Sequence, residues 1–175
     1  MNGLTLKDLL PKFIDSLKEK GRSPATILAY RTDLEQLTSL LVQNSKVSPT
    51  QVIGSDLETF RDTLLAQKYT PKSTSRKLNA VKTFFRYLKQ QNFITSDPSE
   101  LVSHPKIENS LPKFLTQIEY RALRDVSRSD SRIFAIIELV LQTGIRISEV
   151  ASLKTKNLDG DSLTIEAYAT QPQRS

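Results

Sequence analysis

Seven consecutive residues, Thr143, Gly144, Ile145, Arg146, Ile147, Ser148 and Glu149, hold the side chain best equipped for chemistry. Arg146 carries a permanent charge and a planar fork of N–H donors, which suits the oxygens of a phosphate. Gly144 permits a sharp stop, and a short helix is predicted from Ile147 to Leu153. An arginine at such a helix start adds its charge to backbone N–H groups and a dipole that already favour an anion. The alternative is a local ion pair between Arg146 and Glu149, three residues on. These seven residues alone leave the two readings level. Upstream, Ile133 to Leu141 is the most apolar run of the chain. It predicts a helix buried on nearly all sides, with a central strand as the second choice.

A second constellation lies between Lys72 and Lys89, which holds six basic residues and no acidic one. At helical spacing Lys72, Arg76, Asn79, Thr83 and Arg86 share one face, and Leu78, Val81, Phe85 and Leu88 share the opposite one. Arg and Asn suit guanine and adenine edges, and Lys and Thr suit phosphates. The alternative is an ordinary solvated face. The lack of any balancing carboxylate favours DNA.

Composition agrees. The chain has 175 residues, a formal net charge of +6 and a pI of about 9.5. Residues 1–110 hold 16 Lys and Arg against 11 Asp and Glu, and residues 111–175 hold 9 against 8. A polyanion contact is therefore expected on the first part. Cys is absent, so disulfides and thiolate metal sites are excluded, and a single His excludes a multi-histidine metal cluster. No apolar stretch is long enough to span a membrane and no signal-peptide core is present, which predicts a cytoplasmic protein.

Four helices are predicted before residue 95. The first runs from Thr5, its N-cap, to Lys20, with Gly21 as the stop. The second begins at Ser23 and Pro24 and reaches Gln43. The third starts at Ser55, with Glu58 as capping-box partner, and reaches Gln67. The fourth runs from Pro71 to Gln91. The Ser-, Pro- and Asn-rich stretch from Thr95 to Pro112 reads as a linker. A short helix capped by Thr116 and Glu119 follows, and Asp130 caps the apolar helix. Asp159, Gly160 and Asp161 signal a turn, and Leu163 to Ile165 alternates like a strand with no partner in view. Tyr30 and Tyr87 are expected in the core, and His104 in an exposed loop.

The motif around Arg146, continued by Val150, Ala151, Ser152 and Leu153, resembles the first arginine motif of the tyrosine recombinases, the phage-integrase and Xer-like enzymes. Further pieces match in order. Ser23, Pro24, Thr26, Tyr30, Asp33 and Leu34 resemble the second helix of that family's core-binding domain. Ser73, Thr74, Arg76, Lys77 and Leu78, then Phe84 to Leu88, resemble the fourth. Asp97-Pro98 and Pro105-Lys106 are similar to the interdomain linker, and Leu111 to Thr116 with Glu119 to the entry into the catalytic domain.

The resemblance implies a mainly α fold: a four-helix, SAM-like core-binding domain at 1–104, a linker at 105–112, and the partial, helix-rich start of an α+β catalytic domain at 113–175. It implies double-stranded DNA as partner, gripped by the second and fourth helices. The contact candidates are Lys72, Ser73, Thr74, Arg76, Lys77, Asn79, Lys82, Thr83 and Arg86, with Ser23, Thr26 and Arg31 on the second helix. Ser23 has a capping role as its alternative, and Arg31 a pairing with Glu35. Arg146 would bind the scissile phosphate while a tyrosine forms a 3′-phosphotyrosyl link, and Glu149 would support the site. Such chemistry needs no metal and no other cofactor. The family's lysine has no counterpart near Ala169, and Tyr168 is misplaced for the nucleophile. The second arginine, the histidines and the tyrosine would fall beyond Ser175, so binding without cleavage is expected. An incomplete catalytic part would leave apolar surface open to self-association. The rival readings are a non-catalytic DNA-binding accessory protein and a helical protein-interaction scaffold.

Overall fold

The computed structural model describes residues 4–108, 111 and 113–166. The chain forms two compact units, Met1–Glu108 and Asn109–Ser175.

The first unit is built on four helices: α1 (Leu6–Glu19), α2 (Pro24–Gln43), α3 (Gly54–Ala66) and α4 (Pro71–Gln90). Their starts are written in short polar side chains. Thr5 Oγ1 accepts from the Asp8 N–H at 3.2 Å, and the Asp8 carboxylate accepts from the Thr5 N–H at 2.9 Å. Ser23 and Thr70 cap α2 and α4 from their hydroxyls, each followed by a proline whose missing N–H is no loss there. α1 ends at Lys20, and Gly21 follows in the left-handed region at φ +66°. The apolar stripes then converge. Phe13 of α1 lies at the centre, its ring 5.3 Å from Phe84 and from Tyr87 and stacked against Tyr30. Leu34, Leu37 and Leu41 of α2, Phe60 and Leu64 of α3, and Leu78, Val81, Phe85 and Leu88 of α4 complete the core.

Two expectations for this unit change. α3 starts at Gly54 rather than Ser55, because Asp56, not Glu58, returns its carboxylate to the backbone, 2.9 Å from the Ile53 N–H. The stretch after Thr95 is not a free linker. Ile94, Ser99 and Val102 are buried. Asp97 Oδ1 accepts from the Ser99 N–H and hydroxyl at 2.8 and 2.6 Å. Arg61 Nη1 donates to Ser103, and Ser75 Oγ lies 2.9 Å from His104 Nδ1. Ser/Pro composition concealed two apolar anchors that hold this strap on the helices.

The second unit contains α5 (Gln117–Ser127), α6 (Ser131–Thr143) and α7 (Ile147–Ser152). The caps are those the sequence predicts: Thr116 with Glu119 for α5, and Asp130 for α6, accepting from the Arg132 and Ile133 N–H groups at 2.9 and 3.0 Å. α6 closes at Gly144, at φ +65°. Arg124 of α5 and Glu138 of α6 form a two-pronged ion pair. α6 is a helix, as expected, but none of its residues is buried; Ile136, Ile137, Leu139, Val140 and Leu141 are half-buried. α5 covers one side of it, so an apolar run this long keeps apolar surface in reserve. The strand after it does have a partner. β1 (Leu158–Asp159) pairs antiparallel with β2 (Ser162–Leu163), in register Leu158 to Leu163, around the predicted Gly160 turn. Tyr168 and Ala169 lie outside the described residues.

Candidate nucleic-acid interface

α4 separates its faces as the spacing predicts. Leu78, Val81, Phe84, Phe85 and Leu88 are buried, whereas Lys72, Arg76, Asn79 and Arg86 are exposed. Ser73, Lys82 and Thr83 are half-buried at the margins. Thr83 donates its hydroxyl back to the Asn79 carbonyl at 2.7 Å, and Ser73 accepts from the Thr70 hydroxyl. Two candidates point inward. Thr74 is fully buried, and among the described residues no hydrogen-bond partner reaches its hydroxyl. Lys77 is 6 % exposed, and its ammonium donates to Asp33 at 2.8 Å and to Gln36 at 3.0 Å. Lys77 thus faces α2, and both side chains are withdrawn from solvent.

Asp33 is the residue that sequence reading left without a role. It is 1 % exposed and bound by two cations. Besides Lys77 it accepts from Arg76, Nη1 to Oδ2 at 2.6 Å and Nη2 to Oδ1 at 3.1 Å. Arg76 nevertheless keeps half of its side chain in solvent. The spacing of Asp33 among the apolar residues of α2 was a signal, since a carboxylate on a buried stripe requires a cation.

On α2, Ser23 spends its hydroxyl on the cap, accepting from the Thr26 N–H at 3.2 Å and lying 2.8 Å from Thr26 Oγ1. Arg31 is exposed, and among the described residues no ion pair joins it to Glu35. Beside these residues lies a cleft of about 250 Å³ lined by Lys20, Arg22, Thr83, Arg86 and Gln90 over Phe13, Tyr30 and Tyr87. Among the described residues no carboxylate lines it. Burial, and then the charge of Glu19, pushes the Tyr87 phenol above its ordinary value, so it stays a neutral wall. Lys20 and Arg22 escaped notice because they flank Gly21 at the end of the first helix, away from the basic run of α4; only the fold brings them to Arg86.

In the second unit, Arg146 is the N-cap residue of α7. Glu149 is nearly buried; its carboxylate accepts from the Arg146 N–H at 2.8 Å and from Nη1 at 3.1 Å. The local ion pair is therefore real, and it also fixes the guanidinium, which keeps 54 % of its side-chain surface. Thr143 helps set the turn before it, accepting from the Ile145 N–H at 3.2 Å. Ile145 is buried and anchors that turn. Among the described residues, no group of three or more metal-ligating side chains comes together.

Comparison with known proteins adds the family. The model of the phage integrase N-terminal SAM-like domain matches residues 10–92. Tyrosine recombinase XerC of Herpetosiphon aurantiacus is 34 % identical over 146 residues, 81 % of this chain and 48 % of the relative. Tyrosine recombinase XerD of Pasteurella multocida is 35 % identical over 145 residues, with the same coverage. The chain thus spans about half the length of the curated relatives it matches. Among solved structures, a lambda integrase dimer bound to a COC′ core site superposes with a TM-score of 0.79 at 16 % identity, over 98 % of this chain and 61 % of that one. A lambda integrase tetramer bound to a Holliday junction gives 0.80 at 17 % identity, over 99 % and 50 %. These likenesses establish a mainly α fold with a SAM-like first unit. With the SAM-like match over residues 10–92 and the Xer relatives, the chain is similar to the tyrosine recombinase, or phage integrase, family.

Proposed function

We propose that this chain is the DNA-binding portion of a site-specific tyrosine recombinase. The observation that carries the reading is the α4 face, continued into a cleft lined by three cations and no carboxylate. Lys20, Arg22, Lys72 and Arg86 neutralise phosphates. Arg76 and Asn79 read base edges. Ser23, Thr26, Arg31, Ser73, Lys82 and Thr83 flank them. Arg146, steadied by Glu149, holds the scissile phosphate in the assembled recombinase, where a tyrosine forms the 3′-phosphotyrosyl link. A cytoplasmic setting belongs to this reading; no helix of the described residues is long and apolar enough to cross a membrane. Self-association belongs to it too, supported by the lambda integrase dimer and tetramer and by exposed Leu111, Phe114, Ile118 and Val126.

The test is a salt titration of binding to mixed-sequence duplex DNA. Affinity should fall steeply with salt. The Lys72→Ala/Arg86→Ala variant should flatten the logarithmic slope by about 2, roughly 1 per phosphate contact. Absence of salt-dependent binding would sink the reading in favour of a protein-interaction scaffold.

A further inference from the structure

We propose that Asp33 is a positioning residue for sequence recognition, which it serves without touching DNA, by fixing which edge of Arg76 faces outward; this rests on the DNA-binding reading above. Arg76 has five N–H donors. Asp33 occupies one on Nη1 and one on Nη2, the blunt end of the guanidinium. The side edge, Nε with the second hydrogen of Nη2, is left for a partner. That edge is a two-pronged donor, matched to O6 and N7 of guanine. A free arginine would sample many orientations and lose that freedom on binding. Arg76 has lost much of it beforehand, since Asp33 is immobile within the α2–α4 contact.

Lys77 completes the device. Its ammonium is buried, donates to Asp33 and Gln36, and lies 5.1 Å from the Tyr69 ring centroid. It cancels the carboxylate from inside. The three groups together carry one positive charge, and the exposed end of the cluster is Arg76. Without Lys77 the Arg76–Asp33 pair would be neutral toward a polyanion. The inward residue of this cluster therefore supplies charge, and the buried carboxylate supplies direction.

The test uses the whole chain and a duplex site enriched by the wild type from a random pool. The readouts are the affinity ratio between that site and a scrambled duplex, and the salt slope. Lys77→Met should weaken both affinities together and keep the ratio. Asp33→Asn/Lys77→Met, which leaves no unpaired buried charge, should lower the ratio by about tenfold, within the share of one two-pronged base contact. Its salt slope should stay that of Lys77→Met or steeper, because Arg76 keeps its charge. Arg76→Lys, at a half-exposed position where folding is not at stake, should lower the ratio by a similar factor and leave the slope unchanged. An unchanged ratio in a folded Asp33→Asn/Lys77→Met, or in Arg76→Lys, would overturn the proposal. So would a wild type that binds DNA but enriches no site. A wild type with no DNA binding at all would overturn the underlying reading instead.

Discussion

The imidazole of His104 joins the strap to α4 through Ser75, close to the charge of Lys82. Partial desolvation of the ring, and then Lys82, holds its pKa below the ordinary histidine value. The folded state thus prefers the neutral ring, and the unfolded chain takes the proton first as pH falls. Stability from this contact is present above the unfolded value of about 6.5 and is lost as pH falls below it. Amide hydrogen-exchange protection at Val102 should drop between about pH 7.5 and about pH 5.5, a window bracketing that value. His104→Gln should flatten the change. Equal loss of protection in the variant would mean that another group controls the strap. The sequence places His104 in an exposed loop, and it is exposed; the bond to Ser75, 29 positions earlier, is what composition could not supply.

α4 has a buried apolar face and a solvent-side basic face, to which the proposed function assigns separate roles. Phe84 is 1 % exposed and packs edge-on against Phe13, while Arg86, two residues on, is exposed. Phe84→Ala should cost about 3–5 kcal/mol of stability. Arg86→Ala should leave stability within about 0.5 kcal/mol, as for other exposed positions, yet weaken DNA binding. Urea melts beside the binding titration separate the two. Equal destabilisation by both variants would refute the division of faces. The helical period made this division legible, because an amphipathic helix encodes its inward side locally. Thr74, four residues before Leu78, falls on that stripe as well; the partner of Lys77 was not legible, since it depends on where α2 crosses. Lys77 looks solvent-facing until Asp33 is placed opposite it.

At the scale of the molecule, the two units are finished to different degrees. The first buries a continuous core of aliphatic and aromatic side chains from all four helices. The second exposes Leu111, Phe114, Ile118 and Val126, each by more than three-quarters of its surface. Ile118 and Val126 lie eight residues apart, about two turns along one face of α5. An apolar face of this kind lowers its free energy by association. Sedimentation should show a concentration-dependent shift to larger species, and Ile118→Lys/Val126→Lys should abolish it. A wild type that stays monomeric throughout would exclude self-association through this face.

The sequence by itself determined the helices, every predicted cap but that of α3, the core stripe of α4 and the Arg146 motif. Each is set by residues within a few turns of one another, through backbone hydrogen bonds and side-chain period. Only the tertiary structure decided how residues 95–104 are held on the helices and that α6 is half-buried. It alone brought Lys20 and Arg22 to Arg86, and Asp33 to Arg76 and Lys77. Those contacts join groups far apart in the chain, and their energy comes from burial and charge pairing across elements, which no local pattern records.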